Sequence, residues 1–91
     1  MKPRYQLDAF LEDSGKRVPL RLEIWPPEKT KGENDYFCRV KAGELLSGEK
    51  KIFGAQADQA YELAQGFIRS LLKDKKLVDA KGRVLELFAN K

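Results

Sequence analysis

Four aromatic rings and several cations share one face of a predicted β-sheet, and this is the grouping in the chain best able to bind a partner. Sheets that bind single-stranded RNA use such a grouping, because bases stack on the rings and phosphates pair with the cations. Aromatic residues also dominate binding at protein interfaces. The candidate interaction residues are Phe10, Trp25, Phe37, Arg39, Lys41 and Phe53.

The charges on this predicted face cancel. Its cations are Arg21, Arg39, Lys41 and Lys51, and its carboxylates are Asp8, Glu12, Glu23 and Glu49. Such a balanced set favours cross-strand ion pairs and lacks the net positive field on which phosphate binding depends. Three interpretations of the aromatic residues stay open: packing within the domain, an interface with a protein, and binding of single-stranded nucleic acid.

Residues that usually carry catalysis or bind metals are scarce. The chain has no histidine and one cysteine, which removes the usual general base at neutral pH and the ordinary zinc ligands. Cys38 falls in phase with apolar residues, which favours a small core residue over a nucleophile. The adjacent Glu12 and Asp13 precede a predicted turn, where solvated carboxylates are usual. The sequence therefore predicts no catalytic residue, cofactor or metal, and an enzyme is the third functional hypothesis.

Alternation of apolar and polar residues predicts the strands that position these side chains. The predicted strands span 5–11, 18–25, 36–42 and 49–53. Pro26 and Pro27 end the second strand. The segment 28–35 has no apolar residue and is predicted to be a flexible loop, because it offers no burial to offset the ordering of its backbone.

Beyond Gly54 the apolar period changes from two to that of an amphipathic helix of about five turns. Its apolar positions run from Ala57 to Leu71, and its last turn is predicted to contain Lys73, Lys75 and Lys76. Turn residues at 79–82 then predict a last strand over 83–88, with a short terminal helix as the alternative. The predicted core between sheet and helix comprises Leu7, Leu20, Leu22, Ile24, Val40, Ala64, Phe67, Ile68 and Leu71. We therefore expect a single domain, 1–91, of the α+β class. It has one antiparallel sheet of four to five strands in the order β-β-β-β-α-β and one long helix on one face.

Composition limits the compartment and the partner. The longest apolar runs have three residues, far fewer than the ~20 that a membrane span needs, so no membrane contact is expected. A single cysteine suits a reducing compartment, and we predict a cytoplasmic protein. The net charge of +4 is modest, and much of the excess surrounds the C-terminus of the predicted helix, where the helix dipole favours cations.

The predicted junction between strand and helix resembles a known family. Its residues are Ile52-Phe53-Gly54 and Asp58-Gln59-Ala60, then Leu63-Ala64, Phe67-Ile68 and Leu71-Leu72. This pattern, over residues 50–73, is similar to that of a group of small, mostly bacterial proteins classed as a domain of unknown function. The resemblance implies antiparallel strands followed by one long helix, and it implies no known activity.

Function is therefore stated as ranked hypotheses. The first is a non-enzymatic interaction or accessory protein of the bacterial cytosol that binds a protein, or a second copy of itself, through the aromatic sheet face or a strand edge. The second is a single-stranded nucleic-acid-binding protein that uses the same rings together with Arg39, Lys41 and Lys51.

Overall fold

The alternating segments form one antiparallel sheet, and the helical segment packs on one of its faces. In this computed structural model, which describes residues 2–88, the elements have the following bounds. The strands are β1 (Tyr5–Asp13), β2 (Lys16–Ile24), β3 (Glu28–Lys29), β4 (Tyr36–Lys41), β5 (Lys50–Gly54) and β6 (Lys76–Val78), and the helix is α1 (Ala57–Leu71). The α+β class and the single antiparallel sheet with one helix are confirmed. The sheet has six strands and not four to five, because β3 adds a strand before the helix.

β4 lies between β5 and the strand formed jointly by β2 and β3. β2 pairs with β4 at Ile24 and Val40, whereas β3 pairs with β4 at Glu28 and Phe37. From Ile24 to Glu28 the chain advances four residues, whereas from Val40 to Phe37 the facing strand advances only three. The strand formed by β2 and β3 therefore has one extra residue here, which is a β-bulge. Pro26 and Pro27 lie at this bulge, where their missing N–H groups cost no regular pairing. Across the sheet the order is β6, β1, β2 with β3, β4, β5.

The predicted flexible loop 28–35 is shorter than expected, because its first two residues form β3. Glu28 and Lys29 pair with Phe37 and Tyr36, and the backbone N–H of Thr30 donates to the carbonyl of Asp35 at 2.9 Å. A polar sequence forms a strand here because β4 supplies backbone partners. The segment is therefore a strand although its side chains show no alternation of apolar and polar residues.

The prediction of a strand at 83–88 is wrong. The last strand is β6, which pairs with β1, and the following segment makes only a single bridge, between Val84 and Val78. Phe88 adopts a positive φ of 53°, which no strand contains, and its ring packs against Tyr5 at 4.5 Å between centroids. Leu85, Leu87 and Phe88 of this segment pack on the core, whereas Val84 is exposed.

The core lies between the sheet and α1, as predicted. Its completely buried large side chains include Leu22, Ile24, Val40 and Ile68. Leu7, Phe67 and Leu71, also predicted for this core, are only partly buried against it.

α1 begins at a close contact with the end of β5. A Cβ atom built on Gly54 would lie 2.6 Å from the backbone nitrogen of Ala60, so only glycine allows this approach. The side chain of Gln59 reaches back and accepts the N–H of Ala55, which satisfies a donor just before the helix. The Gly and Gln-Ala positions of the family-like pattern thus have a physical role at this junction. α1 ends at Leu71, so Lys73 and the later lysines follow the helix and are not part of its last turn.

Gly54→Ala should destabilise the fold by about 1–3 kcal/mol, because the added methyl group meets backbone and not a flexible side chain. Gly66→Ala is the matched control. A Cβ atom there meets nothing within 4 Å, so this change in the middle of the helix should stabilise the protein by up to about 1 kcal/mol. Urea unfolding of both variants measures the two effects. Equal changes in stability would contradict the close contact.

The turn after β6 should make stability depend on pH. The backbone N–H groups of Arg83 and Lys81 donate to the carboxylate of Asp79, at 2.9 Å each, and hold its pKa below its usual value. The pKa of Asp79 is thus lower in the folded protein than in the unfolded chain, where it is about 3.9. The ionised carboxylate therefore stabilises the fold at a pH above about 3.9, and this stabilisation is lost as the pH falls through the pKa of the folded protein.

Asp79→Asn should therefore be less stable than the wild type at neutral pH. The difference between the two proteins should close below about pH 4. Urea midpoints of both proteins across this range test the expectation. A difference that stays constant down to about pH 2 would show that the carboxylate's charge contributes nothing.

Candidate functional site

The outer face of the sheet, opposite α1, carries a group of side chains that we call the outer-face patch: Trp25, Phe37, Arg39, Lys51 and Phe53. Phe37 of β4 and Phe53 of β5 are directly opposite each other in the strand register. Their ring centroids lie 5.6 Å apart, and the rings are tilted by 44°. Phe37 is 9% exposed, whereas Phe53 is 49% exposed. One ring is therefore part of the fold, and the other is available to a partner.

Two cations cover the buried ring. The ammonium group of Lys51 lies 4.9 Å from the centroid of Phe37, and the guanidinium group of Arg39 lies 5.8 Å from it. Each cation–π contact of this kind is worth about 0.5–1 kcal/mol at an exposed site and favours the position of the cation over the ring. The face of Phe37 is thus occupied from within the domain, which leaves Phe53 as the ring on which a base or an apolar group could stack.

Arg39 is also held by two carboxylates, one on β3 and one just before β5. Its Nε lies 3.0 Å from Glu28 Oε2 and 3.7 Å from Glu49 Oε2. Its Nη2 donates to Glu28 Oε1 at 3.4 Å, a long hydrogen bond, so the interaction is mainly electrostatic. The charge of Arg39 is therefore balanced within the patch.

Trp25 borders the patch at the bulge. Its backbone N–H donates to the carbonyl of Arg39 at 2.9 Å, which fixes the position of the indole beside β4. The side chain is half-buried. The indole Nε1 has no hydrogen-bond partner within residues 2–88 and is shielded from solvent.

The sequence grouped two further residues with this patch. Phe10 lies on β1, opposite Pro19 of β2 and Val78 of β6. Trp25 follows Pro19 by six residues, a distance of about 20 Å along a strand, so Phe10 is not part of the patch. Lys41 lies at the end of β4, opposite Glu23, and is exposed. The single aromatic face that the sequence predicts is therefore divided into two regions.

The predicted cross-strand ion pairs are present elsewhere on the outer face. Arg21 Nε lies 2.6 Å from Asp8 Oδ1, and the hydrogen bond lowers the pKa of Asp8. Glu12 contacts Arg17 at 3.7 Å and Lys76 at 3.1 Å. These contacts neutralise cations that a phosphate backbone would otherwise bind.

The structure also shows where the possible nucleophile and the possible metal ligands lie. Cys38 is fully buried on the core face of β4, and burial raises the pKa of its thiol, which makes it a poor nucleophile. Among the residues that the structure describes, no three Cys, Asp or Glu side chains are placed to hold a metal ion. Within the same residues, no helix is long and apolar enough to cross a membrane.

Sequence reasoning missed Glu28, because the segment containing it was read as a loop. The available signal was Pro26-Pro27, which fits a bulge as well as the end of a strand. An acidic residue just after such a bulge can continue the strand and reach a cation on its neighbour, as Glu28 does with Arg39.

Comparison with known protein families, with curated proteins and with solved structures gives no match to this chain. The resemblance of residues 50–73 to a bacterial family of unknown function therefore stays a hypothesis. Function has to be argued from the geometry.

Truncation to alanine should have different effects at the two neighbouring rings, Phe37 and Phe53. Phe37→Ala removes a buried ring together with the support of two cations and should cost about 3–5 kcal/mol, a large part of the stability of a small domain. Phe53→Ala removes a half-exposed ring and should cost less than about 1 kcal/mol. Urea unfolding of the two variants measures the contrast. Comparable losses would mean that Phe53 is a core residue and not an available one.

Proposed function

We propose that this protein is a non-enzymatic interaction protein that binds another protein through its outer-face patch. The observation that carries the proposal is Phe53, a large aromatic side chain that is 49% exposed on a sheet face beside a second, buried ring. An exposed ring on a rigid support, surrounded by paired charges, has the composition of a protein-binding hot spot, in which aromatic residues and arginine dominate.

The charges near Phe53 also support a protein partner. Arg39 is balanced by Glu28 and Glu49, so a partner that covers the patch meets alternating charges and not a uniform positive field. Single-stranded nucleic acid is the second candidate, and it is favoured by three lysines: Lys50 and Lys51 of β5, and Lys41. In the part of the chain that the structure describes, no carboxylate lies within 4 Å of any of these three ammonium groups. One half-exposed ring, however, offers little of the stacking that such binding needs. As part of the same proposal we place the protein in the bacterial cytosol, since its one cysteine is a buried thiol.

The proposal is tested by crosslinking in cells. A photo-crosslinking benzoyl-phenylalanine in place of Phe53 should capture a discrete protein other than a second copy of this chain, whereas the same group in place of the exposed Val84 should not. With the captured protein purified, Phe53→Ala should weaken binding by at least about tenfold, as for a hot-spot residue, while Val84→Ala leaves it unchanged. Identical products from both positions, or equal affinities for both alanine variants, would contradict the proposal.

The emission of Trp25 distinguishes the second candidate. Single-stranded RNA should leave this emission unchanged at about 150 mM salt if the patch binds protein. Quenching that weakens steeply with added salt, and that is lost in Lys51→Glu but not in Lys73→Glu, would replace the protein partner with nucleic acid.

A further inference from the structure

β5 is an edge strand with one free side. It pairs with β4 along its whole length, and within residues 2–88 no strand pairs with its other side. The opposite edge of the sheet, β6, is different because Val84 forms a bridge to Val78 there. A free edge presents backbone N–H and C=O groups, which only another extended segment satisfies in a regular way.

Exposed apolar side chains lie on both sides of this free edge. Phe53 lies on the outer side of the sheet. On the other side, α1 packs beneath β5 and β4, and Leu63 of the helix is 47% exposed. Phe67, one turn further along the helix, is only partly buried.

The flank of α1 that carries Leu63 faces away from the rest of the sheet. Successive helical residues are about 100° apart, so Leu63 and Tyr61 fall on opposite flanks of the buried row that contains Ala60 and Ala64. The ring of Tyr61 lies 4.0 Å from the guanidinium of Arg4, whose backbone pairs with the end of β2. The Tyr61 flank therefore faces β2, and the Leu63 flank extends beyond β5.

The exposed flank of α1 carries no charge. Its residues are Gln59, Leu63, Gly66, Phe67 and Ser70. The charged residues of α1 are Asp58, Glu62 and Arg69, and all three are exposed outside this flank. Arg69 lies on the Tyr61 side of the helix, where its guanidinium is 5.0 Å from the centroid of the Phe88 ring. Gln59, Leu63, Gly66 and Ser70 follow one another by four, three and four residues, which is the spacing of the contact line between two packed helices.

We propose that β5 pairs with β5 of a second copy of this chain, antiparallel about a twofold axis at Ile52, so that the two sheets become one. In this register Lys51 lies opposite Phe53 of the partner and Lys50 lies opposite Gly54 of the partner. No two like charges are then directly opposite each other in the pair of β5 strands. Inside the domain Lys51 already lies over an aromatic ring, that of Phe37, to which it is diagonal in the strand register. In the pair it would lie directly opposite a second ring, Phe53 of the other chain.

The helices fit this arrangement without rearrangement. Paired strands lie about 4.8 Å apart, and a helix beneath both β4 and β5 lies roughly half a strand spacing inside β5. The two α1 axes are then about 10 Å apart and antiparallel, which is the ordinary distance between packed helices. Leu63 and Phe67 of each chain cover those of the other, with Gly66 between them. An unrelated extended peptide would pair with β5 and leave this helix flank exposed, so a second copy is the occupant that covers both.

The inference goes beyond the proposed function. The two share Phe53, because Lys51 of the second copy lies beside that ring on the outer face. Leu63 lies on the helix side of the sheet and belongs to the self-pairing alone, so its substitution tests the inference separately. Its consequence for function is that the two outer-face patches lie on one continuous sheet and present a twofold-repeated surface.

The oligomeric state tests the proposal. Light scattering of the purified chain at about 100 μM should give twice the 10.4 kDa of one chain. Leu63→Lys should give the monomer, because it introduces like charges across the twofold axis. Val18→Lys is the matched control, since Val18 is 44% exposed but lies on β2 far from β5, and it should leave the dimer intact. A wild-type monomer would overturn the proposal and leave the β5 edge to a strand from another protein.

A second variant and a second measurement guard against misfolding of Leu63→Lys. Leu63→Glu places the opposite charge at the same half-exposed position, so each chain again brings a like charge to the twofold axis, and it should also give a folded monomer, as judged by circular dichroism. Hydrogen exchange of the β5 amides should slow as wild-type concentration rises, and should not slow in Leu63→Glu. A dimer that persists in both variants, or concentration-dependent protection confined to another strand, would overturn the assignment of the interface.

Discussion

The contact between Gly54 and the first turn of α1 determines which surfaces of this protein are covered. Because the end of β5 touches the backbone of Ala60, the helix must turn back directly beneath the strand that precedes it. It therefore covers the core face under β5 and β4, and it contributes nothing to the outer face. The same short connection places one flank of α1 beyond β5, so that the free edge and the exposed Leu63 lie side by side. A longer connection would let the helix move to the centre of the sheet, where both flanks would be buried.

Local patterns determine the parts of this fold that the sequence predicts. The alternation in β1, β2 and β4 and the helical period of α1 reflect burial on one side, which each segment shows by itself. β3 and the segment after β6 behave differently. Glu28 and Lys29 form a strand because β4 offers backbone partners. The backbone N–H of Leu85 still donates to the carbonyl of Leu77 in β6, but the chain then leaves the sheet, and Leu87 and Phe88 pack on the core, where Phe88 contacts Tyr5. Neither cause is visible in the segment itself, so both outcomes depend on tertiary structure.

The candidate site was predictable as a set of residues but not as an arrangement. Alternation assigns Phe10, Trp25, Phe37 and Phe53 to the outer face, yet it says nothing about strand order or register. The register places Phe37 opposite Phe53, which buries one ring and exposes the other. The position of Phe10 on β1, two strands from β4, removes it from the patch. Charge balance was predictable because it depends only on which face a residue occupies, and the contact of Asp8 with Arg21 confirms it.

The two lysines of β5 explain how a free edge could pair with one partner and in one register. Lysine on an edge strand opposes indiscriminate pairing, because a second strand brings its own charges close. A twofold axis normal to the sheet lies at a residue, because directly opposite residues carry their side chains on the same face. With the axis at Lys50 or at Lys51, that lysine lies opposite its own copy. With the axis at Ile52, both lysines lie opposite uncharged residues, Gly54 and Phe53, and all five residues of β5 are paired. An axis at Phe53 would also separate the lysines, but it would pair only the last three residues of β5. Charge and strand overlap together therefore favour the register of the proposed pair.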